Sequence, residues 1–480
     1  MKTKQLLVAM TALVGVTAVT GCDGGDTTRE SGVLSVLAYN GGYGDEWINE
    51  IASEFTRQTG IAIVPSVDSS LLTTIESELV SRYPKYDIIM SHGIGWQSYA
   101  NRGLVAELDD LYESTNDDGD VFADRVVDEG LELSSYKAYR QDEAHYYKVP
   151  FTQGAGGLVY NVDMFEEHGW AVPNSYADLV SLCAEIAADE DGILPFAWAG
   201  GSRAYYWDYV VYSWWYELAG EDVYNQWLSQ TGSDGTYDTG IENYNPDTSG
   251  SAFSYFKQAY QMWYDLVATH PEYSNENAYG ANLMTAQNLF INGQAAMIPY
   301  GTWAKKEIEN NTGKSFNFDV AMMPTPNVND GETHYNFMVG FGDSMIIPAH
   351  SPNIELAKEF LSFMSTEYAC KSFVKYAEGP FLGFNYDDVD MSDITANDSY
   401  AASISKNLSE SVSFSTASNN AVLIANGDTN VQPWVNNEIP YASALSTPSS
   451  YSPDSVFADL YDDARSSWTS WVRNAESISR

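Results

Sequence analysis

The chain is poor in positive charge. Against 66 Asp and Glu it has only 23 Lys and Arg, a formal net charge of −43 at pH 7. Phosphate backbones and anionic lipid surfaces are recognised by clustered Lys and Arg, so nucleic acid and acidic membrane surfaces are disfavoured partners. The same scarcity favours a neutral ligand over an anionic one. Histidine is also scarce, with six residues in all and no pair at zinc-ligand spacing, so no metal site is expected. The chain has no Gly-x-Ser-x-Gly elbow, no His-Glu-x-x-His and no Gly-x-x-x-x-Gly-Lys phosphate cradle. A glycosidase needs two carboxylates across the scissile bond. Among so many acids such a pair can always be imagined, so their abundance carries no information. No catalytic residue and no cofactor are nominated.

Long apolar runs are missing after the first residues. Lys2 and Lys4 precede the apolar stretch Leu6 to Val19, which has the length of a signal-peptide core and is too short to span a bilayer as a helix. It ends in Val19-Thr20-Gly21-Cys22, which resembles a bacterial lipobox. Residues 1–21 are therefore expected to be a lipoprotein signal peptide, with Cys22 taking the lipid and residues 22–32 serving as tether. The expected location is the cell envelope, on the outer face of the membrane, periplasmic or extracellular. Of the three cysteines this leaves Cys183 and Cys370. Both lie in helix-like segments and are expected to be buried free thiols rather than a disulfide.

About 450 residues remain after the leader, too many for one core, so two lobes are expected. Strand, helix, strand, helix and strand are predicted at Val33–Ala38, Asp45–Thr59, Ile61–Val67, Leu71–Arg82 and Asp87–Met90. This pattern reads as a parallel α/β sheet with helices on its faces. Ligands of such open sheets bind beyond the carboxyl ends of the strands, here Tyr39–Tyr43 and Ser91–Trp96. A glycine-rich strand pattern at Tyr147–Asn161 suits a crossing between lobes, and further α/β elements follow it. The Ser-, Asn- and Asp-rich stretch Asp387–Asn420 gives no clear pattern.

Aromatic residues are abundant, with 13 Trp and 34 Tyr. Trp214, Trp215, Trp227 and Trp263 lie inside helical patterns and read as core. Others stand near turns and glycines: Tyr39, Tyr43, Trp96, Trp198, Tyr205, Tyr206, Trp207, Trp303 and Trp434. Aromatic plates with a few carboxylates and amides suit a sugar, whose C–H face stacks and whose hydroxyls bond. The same box fits a polyamine, and a secreted glycoside hydrolase is the third class to weigh.

Several segments, in order, resemble the extracellular solute-binding proteins of the sugar type, the maltose-binding-protein-like group. They are Glu54-Phe55-Thr56 with Thr59-Gly60-Ile61; Tyr86-Asp87-Ile88-Ile89; Gly103 to Leu108; Leu158-Val159-Tyr160-Asn161; Phe290 to Trp303; Ser351 to Phe360; and Gly379-Pro380 with Leu382-Gly383. The resemblance implies a binding protein rather than an enzyme: a lipid-anchored, monomeric component of an ABC importer that delivers a carbohydrate, with its many rings pointing to an oligosaccharide, to a membrane permease. It implies a two-lobed periplasmic-binding-protein-like fold of type II. Residues 33–152 with about 343–415 would form the N-terminal lobe, and about 153–342 with about 416–480 the C-terminal lobe. It places Trp303 at the family's stacking position, His92 and Trp96 on the loop after the third strand, and Gln153 near the crossing, where an acid is usual. Tyr205 and Tyr206 fall in an aromatic segment of the second lobe, and Trp434 resembles a late aromatic plate. Tyr43, Gly340 and Asp343 fall on the first loop and the second crossing. Asp343 would either bond a hydroxyl or cap a strand.

Overall fold

The computed structural model describes residues 32–189, 191–329, 336–340, 343–395, 399–426 and 439–478. Residues 1–31, with Cys22, and Trp434 lie outside the described residues.

The first lobe forms as its periodicity dictates. Strand Val33–Tyr39 lies between Ala62–Asp68 and Ile88–Ser91 and runs parallel to both, with Val33 opposite Ala62 and Val36 opposite Ile88. The helix Glu46–Thr59 buries Trp47, Ile48, Ile51, Ala52 and Phe55 on one face, each large side chain contributing about 1.5–3 kcal/mol of burial. Gly60 stops it at φ 76°, and its N–H returns to the Thr56 carbonyl, a left-handed cap that costs glycine little. The return strand Ser344–Ile346 inserts antiparallel between Ile88–Ser91 and Val149–Pro150 and completes the sheet.

The second lobe is built on the long strand Thr152–Asn161. Ala295–Gly301 runs antiparallel along one edge, and Asn336–Gly340 and Val320–Met323 pair antiparallel along the other. Leu194–Phe196 and Val412–Phe414 extend the sheet in parallel pairings. Its core is aromatic. Trp207, Trp214, Trp215, Trp227 and Trp263 are buried, and Trp215 stacks on Phe256 at 4.3 Å and 12°. Trp214 and Trp215 donate their indole N–H groups to the carbonyls of Pro326 and Ala252, so the rings enter the core without losing a hydrogen bond. The long C-terminal helix Pro453–Ile478 adds Phe457, Leu460 and Ala464.

The chain passes between the sheets at Phe151, between Pro150 of the first and Thr152 of the second. It returns between Gly340 and Ser344. It passes again near Gly379–Leu382, where Phe381 pairs with Gln153. The glycines 154, 156 and 157 are thus not the crossing itself but part of a regular strand. Steric need explains one of them. A Cβ on Gly156 would sit 2.0 Å from the Tyr209 ring, whereas one on Gly154 would make ordinary contact with Trp303 at 3.4 Å.

The Ser- and Asn-rich stretch contains structure that its composition hides. Ser399 caps the helix Tyr400–Glu410, which is followed by the strand Val412–Phe414. The sequence division assigns this segment to the first lobe. Its helix instead packs on the second sheet, with Asn407 donating to the Met322 carbonyl at 2.8 Å and Ser403 accepting from the Met322 N–H at 3.1 Å. Cys183 and Cys370 are both buried free thiols. No helix among the described residues is long and apolar enough to cross a membrane.

Candidate ligand-binding cleft

Between the lobes lies a cavity of about 380 Å³, within the range of small-molecule sites. The first lobe contributes Tyr39, Tyr43, His92 and Asp343. These sit at the carboxyl ends of Val33–Tyr39 and Ile88–Ser91 and on the return crossing, as strand topology dictates. The second lobe contributes Arg203, Tyr205, Tyr206, Asp208, Tyr209, Trp303 and Glu307.

Trp303 follows the strand Ala295–Gly301 and sits at the entrance to the helix Ala304–Thr312. Its ring is half-buried. Tyr206 and Tyr209 support it edge-on at 6.2 and 5.9 Å, and Tyr300 lies 6.3 Å away. A Cβ on Gly301 would fall 2.2 Å from that ring, so only glycine lets the indole fold back over the strand end. The result is one aromatic wall, with Trp303 held by tyrosines.

The polar groups are fixed by partners behind the wall. Glu307 accepts from Tyr300 Oη at 2.5 Å, and Gln287 donates to the same hydroxyl at 2.7 Å. Burial raises the Glu307 carboxyl above the usual range, opposed by the Tyr300 hydrogen bond and the Arg203 charge. Asp208 accepts from Tyr441 Oη at 2.8 Å. Asp343 accepts from Thr152 Oγ1 at 2.8 Å, and Thr152 Oγ1 lies 3.5 Å from Tyr43 Oη. Burial also raises Asp343, while His92, Thr152 and Lys148 favour its ionised form. Arg203 places its guanidinium 6.0 Å over the Tyr205 ring and donates to the Ser202 carbonyl. The cavity therefore offers stacking surface, oriented acceptors for hydroxyl groups and one guanidinium donor. Tyr39 packs against the His92 ring at 4.2 Å.

The structure brings together Trp303, Tyr43, His92, Tyr205, Tyr206, Gly340 and Asp343. It does not bring Trp96 there. That ring is 1% exposed and packs in the first lobe against Tyr136 and Tyr147, with the Lys148 amine 5.9 Å from its centre. Gln153 is likewise committed elsewhere. Its side-chain amide donates to the carbonyls of Leu382 and Phe384 at 2.9 and 2.6 Å, pinning the third crossing. Of the turn aromatics, Trp198 and Trp207 are core. Arg203, Asp208, Tyr209 and Glu307 were not anticipated. The run Tyr205-Tyr206-Trp207-Asp208-Tyr209 held the signal for two of them, since its charge falls within one turn of paired tyrosines. Arg203 and Glu307 carry no mark in the sequence.

Two α/β lobes joined by several crossings and meeting over an aromatic, carboxylate-bearing cavity define a two-lobed solute receptor. The chain belongs to the family of bacterial extracellular solute-binding proteins, which it matches over residues 41–369. It is 27% identical over 228 residues to the multiple sugar-binding protein of Streptococcus mutans, a match covering 47% of this chain and 49% of that one, so the chain spans about half of that relative's length. It is 22% identical over 360 residues to the diacetylchitobiose binding protein NgcE of Streptomyces coelicolor, covering 73% and 69% of the two chains. The fold is similar to that of RafE from Streptococcus pneumoniae, with TM-score 0.60 at 17% identity over 91% of this chain and 98% of that chain. RafE has also been solved in complex with raffinose, at TM-score 0.58 and 16% identity over 89% and 98% of the two chains. The family and these relatives are binding proteins.

Proposed function

We propose that the chain is the substrate-binding lipoprotein of an ABC importer. It captures a carbohydrate, an oligosaccharide by the number of rings offered, between its lobes and delivers it to a membrane permease. The observation that carries this is Trp303 standing in a tyrosine wall, with Asp343, Glu307 and Asp208 held by their own partners around the same space. A pyranose presents an apolar face to such a wall and hydroxyl hydrogens to such carboxylates. The sugars in the names of the relatives support the same class. A polyamine would also suit rings and carboxylates, but Arg203 in the lining opposes a polycation. Because sugar would touch both lobes, it binds their closed arrangement better and shifts the population toward it. The protein works as a monomer, held at the outer membrane face by lipid on Cys22.

A thermal-shift screen over mono- and oligosaccharides, with spermidine alongside, tests the reading, and calorimetry follows on the best ligand. A concentration-dependent rise in Tm with a sugar is expected. A rise with spermidine alone would overturn the carbohydrate class. Hydrolysis of oligosaccharide that tracks the purified chain would overturn the reading of a binder.

A further inference from the structure

The helix Ala304–Thr312 starts beside Trp303 and follows a strand of the second sheet, yet its lysines reach the first lobe. Lys306 Nζ lies 3.1 Å from Glu46, at the start of the helix Glu46–Thr59, and 3.0 Å from Glu378, at the end of the helix Glu367–Ala377. Those two helices pack on one another. Lys305 also pairs with Glu378, and it lies 3.6 Å from Glu309 one turn along its own helix. The Lys306 side chain keeps 15% of its exposure and Glu378 31%, so their pair is screened less than open surface pairs, while Glu46, 62% exposed, is an open partner.

The neighbouring backbone contact is close. The turn after Val33–Tyr39 lies against the same second-lobe helix. A Cβ on Gly42 would sit 2.6 Å from Glu307 Cβ, and Gly42 has φ 98°. Closure at this point thus needs a residue without a side chain.

With a net charge of −43, bringing two acidic lobes together concentrates like charge. Two of the 23 Lys and Arg stand side by side at the seam, facing acids of the other lobe. We propose that Lys305 and Lys306, with Glu46 and Glu378, form an electrostatic latch on lobe closure, and that Lys306 is a positioning residue governing how long ligand is retained. Lys306 acts from outside the cavity, holding the helix that carries Glu307, and whose entrance is Trp303, against the first lobe. The inference rests on the inter-lobe cavity being the binding site, but not on the ligand being a sugar.

The test uses the full mature chain. Small-angle X-ray scattering without ligand compares wild type, Lys306→Gln and Gly42→Ala at low and high salt, across which the screening length falls from about 30 Å at 0.01 M to about 3 Å at 1 M. Both variants are expected to be more extended than wild type at low salt, and because high salt screens the repulsion between the acidic lobes as well as the latch, the difference between wild type and Lys306→Gln should shrink there. With the best sugar of the screen, surface plasmon resonance should show the dissociation rate of Lys306→Gln raised about fivefold with little change in association, and Lys306→Arg restoring most of the difference. Scattering and dissociation that do not respond to Lys306→Gln at low salt would overturn the latch. Scattering that responds while no sugar binds would uphold the latch and sink the carbohydrate reading instead.

Discussion

The two lobes share an architecture and differ in what fills them. The first packs aliphatic strands under several helices, with the tryptophans Trp47 and Trp96 and phenylalanines such as Phe55, Phe151, Phe360 and Phe373 as its rings, and Cys370 of the helix Glu367–Ala377 in the same core. The second is a tryptophan-rich interior, in which Trp207 meets Trp263 and Trp215 meets Trp227 edge-on while Trp215 stacks on Phe256. The abundance of tryptophan therefore marks the construction of one lobe more than the recognition of a ligand. The cleft draws on that stock at its margin: Tyr206 and Tyr209 hold Trp303, and they flank Trp207, which faces the core.

The largest expected effect falls inside the aromatic lobe. Trp215→Ala removes a fully buried ring stacked on Phe256 and should cost about 3–5 kcal/mol in denaturant unfolding. A loss well under ~1 kcal/mol would break the contrast between an aromatic core and an aromatic site. Next comes the seam between core and cleft. Gly156→Ala drives a methyl into the Tyr209 ring and should destabilise by about 1–3 kcal/mol. It should also weaken ligand binding, because Tyr209 supports Trp303. Normal binding in calorimetry would separate the two roles.

Trp303→Ala should weaken binding at least about tenfold, roughly 1.4 kcal/mol, with the unfolding midpoint nearly unchanged. Unchanged affinity would sink its assignment as the stacking plate. A pH-dependent effect sharpens the first lobe's side of the comparison. Burial pushes the Lys148 amine down to about 7, with Asp343 opposing. Unfolded, it titrates near 10.4. Across that window the unfolded chain holds a proton that the folded chain does not, so stability should rise as pH goes from about 7 to 9. Lys148→Met should flatten that rise, and an identical slope in both proteins would remove Lys148 from the account. The smallest effect is a null. Burial raises both thiols, Cys183 and Cys370, so a thiol reagent should label neither until the chain unfolds, and rapid labelling of one would show its lobe opening.

The sequence by itself determined the first lobe's order of elements. Period 3.6 in Trp47, Ile48, Ile51 and Phe55, a stop at Gly60 and two apolar strands are local signals, and they give the same helix and parallel pairing in the structure. It also marked Trp303 and the loops at the strand ends. Tertiary structure alone decided which polar groups meet. Glu307 and Arg203 stand more than a hundred positions apart, and Asp343 finds Thr152 across 191 residues. It sent Trp96 inward and committed Gln153 to backbone carbonyls, because a side chain serves whichever partner closure puts within reach. Positive charge is the clearest case. Its scarcity is plain in composition, yet that Lys306 stands between Glu46 and Glu378 follows only from how the two lobes meet.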